Sequence, residues 1–194
     1  MTNSFHSVTL SITVEIGVSV LTRVIALSAK AHPKETGGIL IGRISDDGRA
    51  AIVLEATAAP PDSKSTRTSF YRGTKGLQKL LTERWSCGES YLGEWHYHPN
   101  GSGDPSSPDV FQMLAIARSP KSQCPEPLLV VCGGNPDDIE LRLFLINNVG
   151  VCAELERPCQ RKSLTESALS VAYDVLSLRE PQVPFPSFLR TSYI

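Results

Sequence analysis

The stretch SYLGEWHYHPNGSGDPSSPDV, residues 90–110, joins a strand pattern to the start of a helix through a segment dense in turn residues. Residues 90–98 predict a strand, and residues 99–108 predict the return that follows it. Ser107 followed by Pro108 is typical of an N-cap and the first residue of a helix. We therefore expect a strand that ends in a turn and leads directly into a helix.

Two histidines and one aspartate in this stretch have the spacing of candidate metal ligands, with partly solvated strand histidines as the alternative for the pair. His96 and His98 are separated by one residue, so on a strand both imidazoles project from the same face, with Cα atoms about 6.6 Å apart. That separation lets both rings reach one Zn²⁺ at N–metal distances of about 2.0–2.1 Å. Asp109 falls in the first helical turn, where the helix dipole favours a carboxylate and where it can be the third ligand. A fourth position then remains for water, which is the arrangement of a catalytic zinc.

Three other side chains compete for supporting or catalytic roles. Ser106 is suited to capping the helix. Hydrolysis also needs a base that takes a proton from the attacking water and returns it to the leaving amine. Glu94 shares the strand face of the two histidines, so it could hold an imidazole in one tautomer. Glu35 lies on a connection before a Gly-Gly strand, and spacing alone does not bring it to the metal, so the residues leave the choice between the glutamates open.

Outward from this stretch, the chain alternates short strands with helices. Alternation predicts a first strand at 7–14, and an apolar stripe from Ile16 predicts a helix that stops before Pro33. Residues 36–44 and 49–58 predict a hairpin around an Asp-Gly turn. The remaining predicted elements are a helix from Thr74 with Leu77, Leu80, Leu81 and Trp85 on one face, strands at 128–132 and 138–146, and a last helix from the Ser163–Glu166 capping box.

Two segments stand apart by composition. Residues 59–73 hold two prolines, many hydroxyls and an excess of Lys64, Arg67 and Arg72 over Asp62, which indicates a basic loop insertion. Residues 180–194 are rich in proline and aromatic residues. We expect a domain over 1–179 and a Pro-rich tail over 180–194 that docks along the body or a partner, with disorder as the alternative.

Composition bounds the class of protein. The 194 residues carry 19 Lys+Arg against 20 Asp+Glu, for a net charge of -1. A chain of this length buries a core without disulfides, and its neutral balance argues against a nucleic-acid partner. No apolar run reaches the length of a membrane span, and the N-terminus makes a poor signal peptide, so we expect no membrane partner and a cytoplasmic location. The five cysteines include no C-x-x-C pair and are expected to be reduced thiols.

The chain resembles the JAMM (JAB/MPN-plus, Mov34/MPN-type) zinc metalloproteases. The motif is His96-Tyr97-His98, seven residues, Ser106, two residues and Asp109, with Glu35 before Thr36-Gly37-Gly38 upstream. The resemblance continues through ETGGILIGR, ATAAPPDSKSTRTSFYRG and YLGEWHYHP and covers roughly residues 8–146. Within the family it is most similar to bacterial deconjugases encoded beside ubiquitin-like conjugation enzymes in antiphage or mobile-element operons.

The resemblance implies an α/β MPN (JAB, cytidine-deaminase-like) fold, a curved mixed β-sheet flanked by helices, with one Zn²⁺ per chain. It implies that Glu35 is the general base and acid and that Ser106 donates a hydrogen bond to the developing oxyanion. His96, His98 and Asp109 would be the zinc ligands. Glu94 then has a supporting or structural role.

The implied substrate is a ubiquitin-like protein, or its conjugates, whose C-terminal tail lies extended in a groove and pairs with an exposed strand. Arg67 and Arg72 could form a wall of that groove, with a solvated loop as the alternative. Cleavage after the tail would mature a precursor or remove the modifier from targets, beside E1-like and E2-like partners.

Three rival functions remain. The substrate could be a sulfur-carrier protein of the ubiquitin fold, which the motif does not distinguish. A catalytically silent MPN scaffold usually lacks one of the five motif positions, all of which are present here. A nucleic-acid role, as in RadC-like relatives, is disfavoured by the neutral charge.

Overall fold

The described residues form one eight-stranded mixed sheet with three helices packed against it. The computed structural model describes residues 1–7 and 10–157. The elements are β1 (Thr2–Ser7), β2 (Ile12–Gly17), α1 (Val18–Ala31), β3 (Thr36–Ile44), β4 (Ala50–Ala56), β5 (Lys64–Ser65), β6 (Phe70–Tyr71), α2 (Leu77–Ser86), β7 (Ser90–Pro99), α3 (Ser107–Arg118), β8 (Leu128–Asn135), β9 (Asp138–Ile146) and β10 (Cys152–Leu155).

The sheet has the order β1-β2-β4-β3-β7-β8-β9-β10, and β5 pairs with β6 in a separate small hairpin. Neighbouring strands are antiparallel except for β2–β4 and β7–β8, which are parallel. The sheet curves until its two edges meet, because the backbones of His6 and Glu156 exchange hydrogen bonds of 2.8 and 3.0 Å. The α/β class and the curved mixed sheet expected from the sequence are confirmed.

Both faces of the central strands are covered. Side chains of β8 alternate between two clusters: Leu128 and Val130 pack in the main core with α1, and Leu129 and Val131 pack with Met113 of α3. A strand covered on both sides must be apolar throughout, which explains the uniform LLVVC run. A third cluster joins Leu77 of α2 to the opposite side of β3 and β7 from the main core.

A β-bulge in β7 decides which of its side chains face the functional site. Leu40 of β3 pairs with Gly93 and Ile41 pairs with Tyr91, so one residue of β7 is extra at this point. Gly93 has φ +148°, and a Cβ there would collide with the Leu128 backbone carbonyl. Beyond the bulge, Trp95 and Tyr97 enter the main core. Glu94, His96 and His98 therefore project from the other face, by alternation along the strand.

The N-terminal prediction of one strand at 7–14 is wrong. Two antiparallel strands occupy this region, and Ser11, with φ 52°, lies in the turn that precedes β2. Ile16, expected to start the helix, is a buried residue of β2, because the apolar alternation that includes Val14 continues through it. The helix α1 starts two residues later, at Val18.

Other boundaries differ more modestly. The helix α2 begins at Leu77 rather than Thr74, since Gly76 before it has a left-handed conformation with φ 88°. Trp85, expected on the packed face of α2, is 46% exposed. The loop at 59–73 contains the β5–β6 hairpin, and β10 has no counterpart in the sequence prediction. The strands at 36–44 and 138–146 are confirmed at both ends.

Some expectations concern residues outside the described ranges, namely the helix from Ser163 and Glu166, the tail at 180–194 and Cys159. Within those ranges, Cys87, Cys124, Cys132 and Cys152 are free thiols. No helix in the described part of the chain is long and apolar enough to cross a membrane.

Candidate metal centre and active site

His96, His98 and Asp109 converge where β7 ends and α3 begins. One ligand atom from each lies within 4.8 Å of the other two. His96 Nδ1 is 2.5 Å from Asp109 Oδ1, and His98 Nε2 is 3.2 Å from Asp109 Oδ2. His96 and Asp109 are buried, whereas His98 is partly exposed. The structure thus brings together the three side chains that the sequence singled out as ligands.

The start of α3 fixes the orientation of Asp109. Ser106 is the N-cap, and its backbone N–H and hydroxyl donate to Asp109 Oδ2 at 2.8 and 2.6 Å. The Asp109 N–H donates back to the Ser106 hydroxyl oxygen at 3.3 Å, which completes a capping box. Ser107, expected as the N-cap, is instead the first residue of α3. The residue that caps the helix is therefore the one that the family motif makes catalytic.

His96, His98 and Asp109 are coupled electrostatically. Burial opposes the charged form of Asp109, but hydrogen bonds with His96 and His98 hold the pKa of this carboxyl well below its usual range. Burial also lowers the pKa of His96, yet its contacts with Asp109 and Glu94 raise that pKa to about 9. The hydrogen bond to Asp109 raises the pKa of His98 as well. These hydrogen bonds thus favour the charged form of all three side chains.

Glu35 lies beside this cluster, which the register of two strands explains. Thr36 pairs with Tyr97 and Gly37 with His96 in the antiparallel β3–β7 ladder, so Glu35 comes opposite His98. Burial raises the pKa of Glu35, and the nearby positive charge of His98 offsets part of that rise. The Glu35 N–H donates to the Thr66 carbonyl at 2.8 Å, so the basic loop holds its backbone.

Glu94 is fully buried behind His96. Its Oε2 lies 3.4 Å from His96 Nε2 and accepts from Gln112 Nε2 at 2.8 Å. Its Oε1 accepts from the Arg72 Nε at 3.0 Å and from the Tyr91 hydroxyl at 3.3 Å. Burial alone would raise the pKa of Glu94, but the contacts with His96 and Arg72 lower it, so the side chain is a carboxylate.

The loop 59–73 contributes to the site in a different way from the one expected. Arg72, expected to line a substrate groove, directs its guanidinium inward to Glu94 and is only 10% exposed. Arg67, the other arginine of that expectation, is exposed. The Phe70 ring packs edge-on against the His96 ring, with centroids 5.8 Å apart. One arginine of the loop thus faces the interior of the site and the other faces solvent.

Sequence reasoning missed three contacts of the site: those of Phe70, Tyr91 and Gln112. Gln112 could have been found, because it is three residues after Asp109 and so lies near the same face of α3. Tyr91 reaches Glu94 only because of the β-bulge. Phe70 gives no local signal, since its position depends on how the loop folds back over β7.

The side chains fit a divalent cation such as Zn²⁺. Two imidazoles and a carboxylate are typical zinc ligands, and three of them leave a coordination position open. The His96 nitrogen that faces away from the cluster has a carboxylate partner, as metal-bound histidines usually have. Every position of the family motif is present, and the structure brings these side chains close together, which is the pattern of an active enzyme rather than a silent scaffold.

Comparisons with known proteins agree with this geometry. Residues 17–145 match the family described as prokaryotic homologs of the JAB domain. The chain is 45% identical over 124 residues to a CD-NTase/cGAS isopeptidase of Enterobacter hormaechei subsp. hoffmannii, covering 64% of this chain and 69% of that one. It is 29% identical over 124 residues to the probable metalloprotease y4qB of Sinorhizobium fredii, covering 62% and 75% of the two chains.

The fold has a solved counterpart. The solution structure of protein DSY2949 from Desulfitobacterium hafniense superposes with a TM-score of 0.55 at 19% identity, over 73% of this chain and 88% of that one. At this identity the likeness concerns the fold alone. Together with the relatives named above, it confirms the JAB/MPN resemblance and supports a JAMM-type hydrolase. The chain belongs to the prokaryotic JAB-domain family.

Proposed function

We propose that this chain is a zinc-dependent JAMM-type isopeptidase that cleaves after the C-terminal residue of a ubiquitin-like protein. The observation that carries the proposal is the convergence of His96, His98 and Asp109 with the Glu35 carboxylate beside them. A relative that is 45% identical is named an isopeptidase, which favours conjugates over ordinary peptides as substrates.

The metal would be one Zn²⁺ per chain, held by His96 Nδ1, His98 Nε2 and the Asp109 carboxylate. Zn²⁺ bound by such a set supplies Lewis-acid chemistry, polarising a carbonyl and making water a nucleophile near neutral pH. The chain's own contribution is to aim these three donors at one point. The capping box fixes Asp109, and contacts on both ring nitrogens fix His96.

Glu35 is the proposed general base and acid. Its half-buried carboxylate has a raised pKa, closer to the working pH than that of an exposed glutamate. Glu35 takes one proton from the attacking water as the water oxygen bonds to the amide carbon. It then gives that proton to the nitrogen as the C–N bond breaks, releasing a lysine side-chain amine or an α-amine. This assignment resolves the competition with Glu94, whose oxygens already accept from buried donors.

Ser106 is proposed to stabilise the oxyanion that forms during attack. Its hydroxyl donates to Asp109 in the structure, so it must turn toward the substrate oxygen to act in this way. The backbone N–H of Ser106 would keep its own bond to Asp109 during that rotation. The hydroxyl oxygen would thus cap α3 by accepting from the Asp109 N–H, while the hydroxyl proton is donated to the substrate oxygen.

The substrate proposal is a thin, extended C-terminal tail that reaches the cleft beside the loop 59–73. Arg67, which is exposed, is the candidate for contacts with the modifier. By analogy with the name of the 45%-identical relative, the conjugates would include a CD-NTase-like target in a bacterial antiphage conjugation system. E1-like and E2-like enzymes of that system would be partners, and the protein would act in the cytoplasm.

The test uses a ubiquitin-like protein encoded beside this chain, fused through its C-terminus to a reporter. Wild type should cleave directly after the modifier's tail, a chelator should abolish cleavage, and Zn²⁺ should restore it. Glu35→Gln should be inactive with zinc bound, whereas Glu83→Gln, at an exposed glutamate of α2, should match wild type. Cleavage of a sulfur-carrier fusion instead would assign the rival substrate, and a zinc-loaded protein that cleaves neither fusion would overturn the proposal.

A further inference from the structure

Glu94 is the most deeply buried carboxylate of the site, and the chemistry above gives it no step. Its side chain is fully buried. Arg72, Tyr91 and Gln112 donate to it from the loop, from β7 itself and from α3. Three separate elements therefore contribute hydrogen-bond donors to one fully buried carboxylate.

Stability alone is a weak explanation for such a carboxylate. Removing a carboxylate from water costs several kcal/mol, and a buried ion pair such as Arg72–Glu94 often stabilises no more than apolar residues of similar size. The charged group is therefore better explained by what it contacts. Its remaining neighbour is His96, whose Nε2 lies 3.4 Å from Oε2.

That contact bears on which nitrogen of His96 is free to bind a metal. A neutral imidazole carries one proton, and a carboxylate facing Nε2 favours the proton there. Without metal, Nδ1 also faces a carboxylate, because it lies 2.5 Å from Asp109 Oδ1. A cation bound by both groups would replace the proton on Nδ1, and the proton that remains on the neutral ring would be the one on Nε2, facing Glu94. If the proton were on Nδ1 instead, His96 would offer no lone pair toward Asp109 and His98.

We propose that Glu94 and Arg72 are positioning residues for the metal centre: Glu94 holds the proton of His96 on Nε2, and Arg72 holds Glu94 in place. The inference rests on the proposed function in one respect, namely that the cluster binds Zn²⁺. It revises the role expected for Arg72, which acts inside the site rather than on the modifier.

Arg72 also connects the loop to the metal ligands. It follows β6, whose Phe70 ring packs edge-on against the His96 ring. The end of the loop is fixed by Asp62, whose carboxylate accepts from the backbone N–H groups of Thr74 and Lys75, both at 3.0 Å. The loop thus acts on His96 in two ways: directly through the Phe70 ring, and indirectly through Arg72, which pairs with Glu94.

The test removes the metal from the purified 194-residue chain, adds zinc back, and measures zinc affinity by competition with a chromophoric chelator. Glu94→Gln and Arg72→Met should weaken zinc binding by about 10- to 100-fold, the range seen when partners of metal-binding histidines are lost. Arg72→Lys should recover part of that loss. Arg67→Met is the matched control in the same loop and should bind as wild type. Wild-type affinity in folded Glu94→Gln and Arg72→Met would overturn the proposal.

A second readout is the protonation of the ring itself. In zinc-loaded wild type, long-range ¹H–¹⁵N spectra of labelled histidine should show the His96 proton on Nε2, and a proton on Nδ1 would overturn the proposal. If Glu94→Gln and Arg72→Met do not fold, Gln112→Met replaces them in the test, because it keeps both charges and removes one donor to Glu94 Oε2. A several-fold loss of zinc affinity supports the proposal, and affinity equal to Arg67→Met overturns it.

These outcomes are distinct from those of the proposed function. Zinc affinity and the His96 tautomer require no substrate. A chain that binds zinc with the expected dependence on Glu94 but cleaves no ubiquitin-like fusion would overturn the isopeptidase proposal and leave the positioning role intact.

Discussion

Gly37 of β3 lies directly opposite His96 of β7 in the antiparallel ladder. A Cβ at residue 37 would collide with the Trp95 carbonyl and would lie 2.8 Å from the Phe70 ring and 3.0 Å from the His96 ring. The absence of a side chain at Gly37 is therefore what lets the Phe70 ring pack against the His96 ring.

Substituting this glycine should loosen the metal centre. We expect Gly37→Ala to displace Phe70 and His96, lower stability by roughly 1–3 kcal/mol and weaken zinc binding. Chemical denaturation and chelator competition would measure the two effects. Gly17→Ala is the matched control, because a Cβ there meets its nearest neighbour at an ordinary 3.5 Å. Zinc affinity unchanged in Gly37→Ala would show that the close contact does not position the ligand.

Replacing the proposed base should separate catalysis from metal binding. Glu35→Gln keeps the shape of the side chain but cannot accept the proton, so kcat should fall by about 10²- to 10⁴-fold. Zinc content should stay at one per chain, since Glu35 is not among the proposed ligands. Steady-state kinetics and metal analysis of the same samples would measure both. Activity within tenfold of wild type would return the role to another group.

Substitution of Ser106 should cause two separable losses, one of stability and one of activity. Ser106→Ala removes the hydroxyl that caps α3, which should cost about 1 kcal/mol of stability. It also removes the proposed oxyanion donor, so kcat should fall by about 10²-fold or more with little change in KM. Ser107→Ala, at the exposed next residue, serves as the control for both measurements. A stability loss without a kcat loss would leave Ser106 as a cap alone.

The pH dependence of the metal-free protein should reveal the coupling at His96. Burial by itself lowers the pKa of His96, but contacts with Asp109 and Glu94 outweigh it and raise the pKa to about 9, above the ordinary value near 6.5. Because the pKa of His96 is higher in the folded protein than in the unfolded chain, the protonated ring contributes its full stabilisation of the fold below pH 6.5. That contribution is lost as the pH rises through about 9.

Urea unfolding in the presence of a chelator would test this expectation. The unfolding free energy of wild type should fall by an amount on the order of 1–3 kcal/mol between pH 6.5 and pH 9. His96→Gln should have a flatter profile over the same window, because it carries no titrating ring. A wild-type profile as flat as that of the variant would contradict the raised pKa.

Local patterns predicted the parts of this protein that depend on local sequence. The pattern at 138–146 predicts β9 to its ends because turn residues bound it on both sides. Strand alternation predicts that His96 and His98 share one face, and the structure brings both together with Asp109. The sequence does not predict the N-terminal hairpin, because the turn before β2 uses Ser11 rather than glycine or proline and the alternation has no visible break.

The rest of the site depends on pairings between distant segments. Glu35 reaches His98 through the β3–β7 register, which no spacing within either strand reveals, and only the family resemblance selected it. Arg72 carries the same charge as Arg67, so composition could not tell that one points inward. The β-bulge next to Gly93 decides which face Glu94 occupies, and Gly93 lies against the Leu128 backbone of β8, a contact between strands distant in sequence.

The two arginines of the loop, Arg67 and Arg72, point in different directions, so their substitution should have different kinetic effects. Arg67→Glu reverses an exposed charge and should raise KM for the ubiquitin-like fusion more than it lowers kcat. Arg72→Met, at a buried guanidinium paired with Glu94, should lower kcat at limiting zinc and recover as zinc is raised. Kinetics of both variants across a zinc titration would separate the effects. A KM effect of Arg72→Met that excess zinc does not change would place Arg72 against the modifier after all.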